Sequence, residues 1–318
     1  MEVKFSVRRY DPESTNAVSH FQEYQLEMDD ASTVLDGLIR IREEIDGTLS
    51  LRCSCRSAIC GSCAMRINGQ AGLACNTKIM DVIPENDSPI SIEPAGNLPL
   101  IKDLIVDFQP FWSKVEAVEP WLQPEGEVPE SEYIAPNEDM LHLAGVMACI
   151  MCGACVSDCT VLEVDDRFLG PAALAKAYRF VGDPRDDSDD HRLGRLNEYG
   201  GMWDCTRCMQ CVEVCPKDVA PMDRIMSLRD KAMEAGFTNT NGARHATAFS
   251  DSLRHSGWLD ELRLPIKSFG LFNLKAMIAL IPTGIRAQMN GKRPPIFHKS
   301  IPGAENIRKI FDKVENKK

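Results

Sequence analysis

The chain carries thirteen cysteines, and twelve of them fall into close-spaced sets. Cys55, Cys60 and Cys63 are followed at a short distance by Cys75. Cys149, Cys152, Cys155 and Cys159 form a second run, and Cys205, Cys208, Cys211 and Cys215 a third. Thiols so spaced can pair as disulfides, hold zinc, or cage iron with inorganic sulfide. The odd count argues against a disulfide framework. So does the start "MEVKFSVRRY", which alternates apolar and charged residues and has no signal-peptide core; a reducing compartment is expected.

Spacing separates zinc from iron. Cys55, Cys60 and Cys63 read C-x4-C-x2-C, with Cys75 completing the set beyond a turn. That is the plant-type pattern for a [2Fe–2S] cluster. The loop "CRSAICGSC" is rich in small residues, so its backbone N–H groups can approach cluster sulfurs. A zinc site more often uses two C-x2-C knuckles. Cys53 stands outside the spacing and is expected to be a spare thiol. The second and third runs both read C-x2-C-x2-C-x3-C, and Pro216 completes the bacterial ferredoxin signature in the third run, where the second has Thr160. In two-cluster ferredoxins the fourth cysteine of each run ligates the other cluster. On that pattern one [4Fe–4S] cluster uses Cys149, Cys152, Cys155 and Cys215. A further cluster uses Cys159, Cys205, Cys208 and Cys211.

The surrounding sequence must position these thiols. In 1–108, Val3, Phe5 and Val7 alternate as in a half-buried strand, and Tyr24, Leu26 and Met28 repeat the pattern. Val34, Leu35, Leu38, Ile41 and Ile45 share one helical face, with Gly47 as a stop. Asn68-Gly69 suits a type I′ hairpin turn, and Ile90 and Ile92 supply a last strand. Five prolines interrupt 109–138, which reads as a linker over the surface. The region 139–235 is mostly helical, with Pro171 opening a helix that stops near Gly182 and Pro221 opening one capped by Gly236. Five aspartates between 183 and 190 are expected to form an exposed acidic loop. The extension 236–318 has no cysteine. In it "GARHATAFSDSLRHSGWLDEL" predicts a helix stopped at Gly257. "NLKAMIALIPTGIRAQMNGKRPP" predicts either a helix packed on the core or a face for a partner subunit or membrane surface. The predicted class is α+β: a plant-type ferredoxin (β-grasp) domain, an α-helical bacterial-ferredoxin-like two-cluster domain, and a C-terminal extension.

Composition excludes some roles. Lys and Arg number 36 against 47 Asp and Glu, for a net charge of −11. That is no field for nucleic acid. No apolar run reaches the roughly 18 residues that span a bilayer, and no phosphate-binding glycine motif is present. His20, His142, His191, His245, His255 and His298 are scattered, as surface or packing residues would be. No catalytic constellation stands out.

A plant-type [2Fe–2S] domain ahead of a two-run helical domain resembles the iron–sulfur subunit of succinate dehydrogenase and fumarate reductase. The stretches "CRSAICGSCAMRING", "LAC", "CIMCGAC" and "CVEVCP" carry the likeness. It implies an electron-transfer role between a flavoprotein subunit that interconverts succinate and fumarate on FAD and the quinone pool at a membrane anchor. It also implies a cytoplasmic location, peripheral on the inner face of the cell membrane through partner subunits. Two departures stand out. Where the family usually has an aliphatic residue, leaving a [3Fe–4S] cluster on the counterparts of Cys159, Cys205 and Cys211, this chain has Cys208. A third cluster of [4Fe–4S] type is therefore expected, and [3Fe–4S] if Cys208 is not a ligand. Residues 160–164, "TVLEV", and Thr206 replace the usual quinone-contacting proline, tryptophans and histidine. The stretches "TNGARHATAF", "GWLDEL" and "KRPPIFHKSIPG" look like the extended branch of the family. That branch is similar here to the small subunit of heterodisulfide reductase, and a cysteine-rich partner often replaces its haem-bearing anchor. The alternatives are an iron–sulfur subunit of another flavoprotein complex, of glycolate or heterodisulfide-reductase type, and a zinc-binding interaction protein.

Overall fold

In the computed structural model the described residues are 1–318 apart from 15–16, 87, 271–272, 293–294, 296–298 and 316–318. The expectation for His298, and much of that for "KRPPIFHKSIPG", lies outside them. The chain divides into two units, 1–230 and 231–318.

The first unit opens with β1 (Glu2–Arg9) and β2 (His20–Glu27), an antiparallel pair with Val3 opposite Leu26 and Phe5 opposite Tyr24. Alternation puts Val3, Phe5, Val7, Tyr24 and Leu26 on the buried face. Helix α1 (Val34–Arg40) follows, capped by Thr33 and Asp36 in a reciprocal capping box. Its last turn widens into a π-helical turn over Ile41–Ile45, closed by the Asp46 N–H on the Ile41 carbonyl. The extra residue per turn rotates Ile45 off the apolar stripe. Ile45 is therefore exposed, against the shared face predicted for it, while Ile41 stays buried. β3 (Ala64–Ile67) and β4 (Gln70–Leu73) form the expected hairpin. Asn68 and Gly69 both have positive φ, as a type I′ turn demands. β5 (Ile90–Glu93) runs parallel to β1 and antiparallel to β3, giving the order β2-β1-β5-β3-β4 with α1 across one face.

Arg9 ends β1 inside this domain. Its guanidinium donates to Asp103 at 3.0 Å, Asp46 at 2.6 Å, Gln22 at 2.8 Å and Thr48 at 2.8 Å. Asp103 also accepts the Ser50 and Tyr10 N–H groups, so one charge ties strand, loop and turn together. A small hairpin, β6 (Leu100–Lys102) and β7 (Ile105–Val106), surrounds it.

The stretch predicted as a linker begins with α2 (Gln109–Glu116), which buries Phe111 and Val115. Further on, Arg192 donates to the carbonyls of Val118, Glu119 and Trp121, so the chain there is fastened down. Beyond it lie α3 (Ala154–Ser157), α4 (Gly170–Val181), α5 (Asp189–Leu196), α6 (Gln210–Glu213) and α7 (Pro221–Glu234). Pro171 sits in the first turn of α4 and Gly182 caps it, as predicted. The aspartate stretch does not form an exposed loop. Asp183 and Asp186 are buried, Asp183 between Arg179 and Arg185 and Asp186 against Arg192. Burial works to raise the Asp183 pKa, but the hydrogen bonds from Arg185 and Arg179 outweigh it and bring the carboxyl down to about 2. The acidic run is structural because arginines on α4, on α5 and between them meet it.

The second unit is helical: α8 (Asn241–Ser256), α9 (Arg263–Phe269), α10 (Leu274–Met289) and α11 (Ala304–Glu315). Thr240 caps the start of α8, and Gly257, left-handed, ends it where predicted. Arg254 pairs with Asp312 and Glu315 of α11. None of the residues of α10 is buried, so the reading of this segment as a helix packed on the core is corrected.

The Arg9 centre gives a stability expectation. Arg9→Met leaves two carboxylates without their cation and lowers stability by about 3–5 kcal/mol at neutral pH. Denaturant unfolding of parent and variant measures this; equal midpoints would contradict it.

Candidate iron–sulfur centres

The loop from Cys55 to Cys63 wraps its own sulfurs in backbone donors. The N–H groups of Ser57, Ile59 and Cys60 point at Cys55 Sγ at 3.4, 3.3 and 3.2 Å. The Ala58 N–H points at Cys75 Sγ at 3.3 Å, and the Cys55 N–H at Cys60 Sγ at 3.5 Å. Positive φ at Arg56, Ala58 and Gly61 turns these groups inward. The Ser62 hydroxyl lies 3.0 Å from Cys60 Sγ. With the N–H groups of Cys55 and Ser62 it draws the Cys60 thiol down to about 6. Cys63 is buried at the hairpin base, and desolvation pushes it up to about 12. Cys75 follows β4 and completes the set. Four thiols ringed by inward N–H groups fit a cluster whose sulfurs carry negative charge. Cys53 packs against the domain core, as Cys75 and Cys152 also do.

The two later runs interleave. One recess is lined by Cys149, Cys152, Cys155 and Cys215, with Ala172 and Ala175 of α4 as part of its wall. Another is lined by Cys159, Cys205, Cys208 and Cys211, with Pro171, Met222 and Ile225. Each recess thus takes three thiols from one run and the last thiol of the other. Burial pushes Cys155 well above its ordinary range, with the thiolates of Cys152, Cys149 and Cys211 adding to it. Burial likewise lifts Cys211 to about 12. Ligation must displace these protons, which ties cluster assembly to pH. Among the described residues no three His, Cys, Asp or Glu side chains close on one point as a single metal ion requires. In both recesses the thiols surround a volume, which fits an iron–sulfide core.

Cys208 differs from its neighbours. Burial would raise its thiol, but the Thr160 hydroxyl and the N–H groups of Gln210 and Thr160 hold it below the ordinary range. The two positions that depart from the expected pattern therefore act on each other. Thr160 occupies the place where a proline would complete the run, and it favours the thiolate of the extra cysteine.

Several residues that sequence reasoning passed over set the spacing between centres. A Cβ on Gly61 would stand 2.7 Å from Cys152 Cβ and 2.9 Å from Cys152 Cα. The first cysteine loop and the second run therefore meet with no side chain between them. Asp158, next to Cys159, accepts from Arg66 at 2.8 Å and from the Ala71 N–H at 2.7 Å, both on the β3–β4 hairpin. Asn97 donates to the carbonyls of Val156, Ser157 and Cys159. Arg229 of α7 is buried and donates to the carbonyls of Met202, Trp203 and Cys205. A glycine beside a cysteine and an aspartate before one carry no signal in a single sequence. Arg229 is equally silent there, because nothing in a helical pattern marks a guanidinium aimed at a distant loop. Three of the described histidines have partners elsewhere. His142 stacks edge-on with Tyr178, His191 lies near Glu119, and His245 meets Ser268.

Gly61→Ala tests the close approach. Its φ of +73° and the contact with Cys152 make even a methyl group cost about 1 kcal/mol or more. The loop must then back away, and electron exchange between the first two centres slows. Freeze-quench EPR of stepwise reduction reads that delay, and parent-like rates would refute it. Arg229→Gln removes a cation beside Cys205 and is expected to lower the reduction potential of the centre there, measured by redox titration. An unchanged potential would assign Arg229 a purely structural part.

Comparison with known proteins finds iron–sulfur cluster domains in both regions. Residues 4–113 match the 2Fe-2S iron-sulfur cluster binding domain family, and residues 145–219 match the 4Fe-4S dicluster domain family. The 8-methylmenaquinol:fumarate reductase iron-sulfur subunit of Wolinella succinogenes is 33% identical over 320 residues, 98% of each chain. The fumarate reductase iron-sulfur subunit of Mycobacterium tuberculosis is 40% identical over 225 residues, 70% of this chain and 90% of its own. Among solved structures, a chain of the Mycobacterium smegmatis Sdh1 complex in the apo form superposes with a TM-score of 0.68 at 25% identity, over 74% of this chain and 97% of that one. With its all-thiol centres and this near full-length kinship, the chain belongs to the family of electron-transferring iron–sulfur subunits of succinate dehydrogenase and fumarate reductase.

Proposed function

We propose that the chain relays single electrons between an FAD-bearing subunit that handles succinate and fumarate and a quinone-linked partner. Cys55, Cys60, Cys63 and Cys75 hold the [2Fe–2S] cluster, and Cys149, Cys152, Cys155 and Cys215 a [4Fe–4S] cluster. Cys159, Cys205, Cys208 and Cys211 hold a third cluster of [4Fe–4S] type. When bound, such clusters supply one-electron chemistry at potentials set by cluster type, hydrogen bonds and exposure. The observation that carries the reading is the grouping of twelve thiols into three sets, two of them recesses that each take thiols from both later runs, with Gly61 of the first loop against Cys152.

The protein's own residues do the rest. N–H groups of 55–60 steady charge on the first set. The apolar wall from Ala172 and Ala175 limits water at the second. Ile59 and Cys60 are exposed at one set, and Cys208 and Met209 at another, which suits entry and exit through partner surfaces. We take the region to residue 108 as the first cluster domain, 139–235 as the second, and 236–318 as a partner-contact extension. The near full-length kinship with the Wolinella subunit takes in this extension. It supports a menaquinol-type acceptor or donor reached through a cysteine-rich or membrane-anchor subunit. Among the described residues no helix is long and apolar enough to cross a membrane.

Iron and acid-labile sulfide analysis tests the assignment. Full ligation by Cys208 gives about ten iron atoms per chain, against about nine for a [3Fe–4S] third centre. In oxygen-free preparations the parent lacks a [3Fe–4S] EPR signal and Cys208→Ser acquires one. A full-occupancy signal in the parent, unchanged by Cys208→Ser, would overturn the assignment.

A further inference from the structure

We propose that α10 lies flat on an anionic lipid surface, so that this chain touches the membrane directly as well as through partner subunits. Leu274, Ile278, Ile281, Ile285 and Met289 follow one another at intervals of three and four residues and form a single stripe along the helix. They are 54–81% exposed, whereas Ala276, Met277, Leu280 and Ala287 on the opposite face are half-buried. Lys275 and Arg286 are eleven positions apart, which is three turns, so both project along the same flank of the stripe. An apolar face edged by long cationic side chains is the arrangement of an interfacial helix: the apolar groups enter the acyl boundary while the cations reach the headgroups.

Charge identifies the occupant. The whole chain has a net charge of −11, yet from Leu262 to Ala304 it contains no Asp or Glu and seven Lys or Arg: Arg263, Lys267, Lys275, Arg286, Lys292, Arg293 and Lys299. A protein so anionic is repelled by an anionic bilayer unless its cations are gathered where it lands. Lys275 and Arg286 lie on α10 itself, Lys292 just beyond its end, and Arg263 and Lys267 on α9, where they also pair with Asp260 and Asp251. Pro282 lies inside the helix, and at sixteen residues α10 is too short to span a bilayer, so an in-plane position is what its length allows.

The test is flotation of the intact, cluster-loaded chain with vesicles of phosphatidylcholine alone or with about one-third phosphatidylglycerol. Binding at least tenfold stronger to the anionic vesicles, weakened by added salt, is the expected result. Ile278→Glu with Ile285→Glu abolishes it, and Lys275→Gln or Arg286→Gln weakens it roughly fivefold each, all with parent-like cluster absorbance. A fluorophore on Ile281→Cys shifts to the blue on anionic vesicles and reports insertion independently. Equal binding to both vesicle types, or binding retained by the double glutamate variant, would overturn the proposal. So would absence of binding by a chain whose Ile281→Cys thiol is shielded from labelling by another subunit of the purified complex, an outcome that assigns the stripe to a protein partner.

Discussion

Electron transfer between protein-held centres depends steeply on separation, and the fold meets that demand at one contact. Where Gly61 faces Cys152, backbone lies against the base of a side chain and nothing can be inserted. The left-handed φ of Gly61 turns the first loop so that its sulfurs face inward while its outer surface rests on the second run. The β-grasp domain sets the position of the loop, and α4 sets the position of the run. Each architecture is ordinary; the requirement that they touch here restricts both.

That contact combines an apolar seam, Ala71 against Ala154, Val214 and Cys152, with directional polar groups. Asp158 bridges from the second run to Arg66 and the Ala71 N–H, and Asn97 collects three carbonyls from the same turn. Buried hydrogen bonds to a charged group are directional and costly to break. They fix register where a hydrophobic patch would permit sliding. Arg229 does the equivalent service for the loop before Cys205 by gathering three carbonyls around one guanidinium.

Much of this was legible in the sequence because thiol spacing is set by local chain geometry. Three of the four cysteines in each set lie within a single loop, and the Asn68-Gly69 turn, the Pro171 and Pro221 starts and the Gly257 stop are equally local. What could not be read was tertiary. The aspartates of 183–190 looked solvated because their partners Arg179, Arg185 and Arg192 are marked by nothing in the sequence as facing inward. Ile45 left its stripe because a π turn changes the helical period after the pattern has been set. The α10 segment was ambiguous by composition, since an apolar stripe looks the same whether a core or another surface covers it. The part played by Thr160 was invisible until folding placed it beside Cys208.

The recess that unites Cys149, Cys152 and Cys155 with Cys215 has a consequence for biogenesis. During synthesis the first three thiols leave the ribosome well before the fourth. Until residue 215 has emerged and α4 has folded back, that site has only three of its walls. Iron delivered early would meet an incomplete cage open to oxygen and to competing metals. On the proposed ligand sets, assembly of the second and third clusters would wait for the end of translation of the first unit, whereas Cys55 to Cys75 all lie within the first 75 residues.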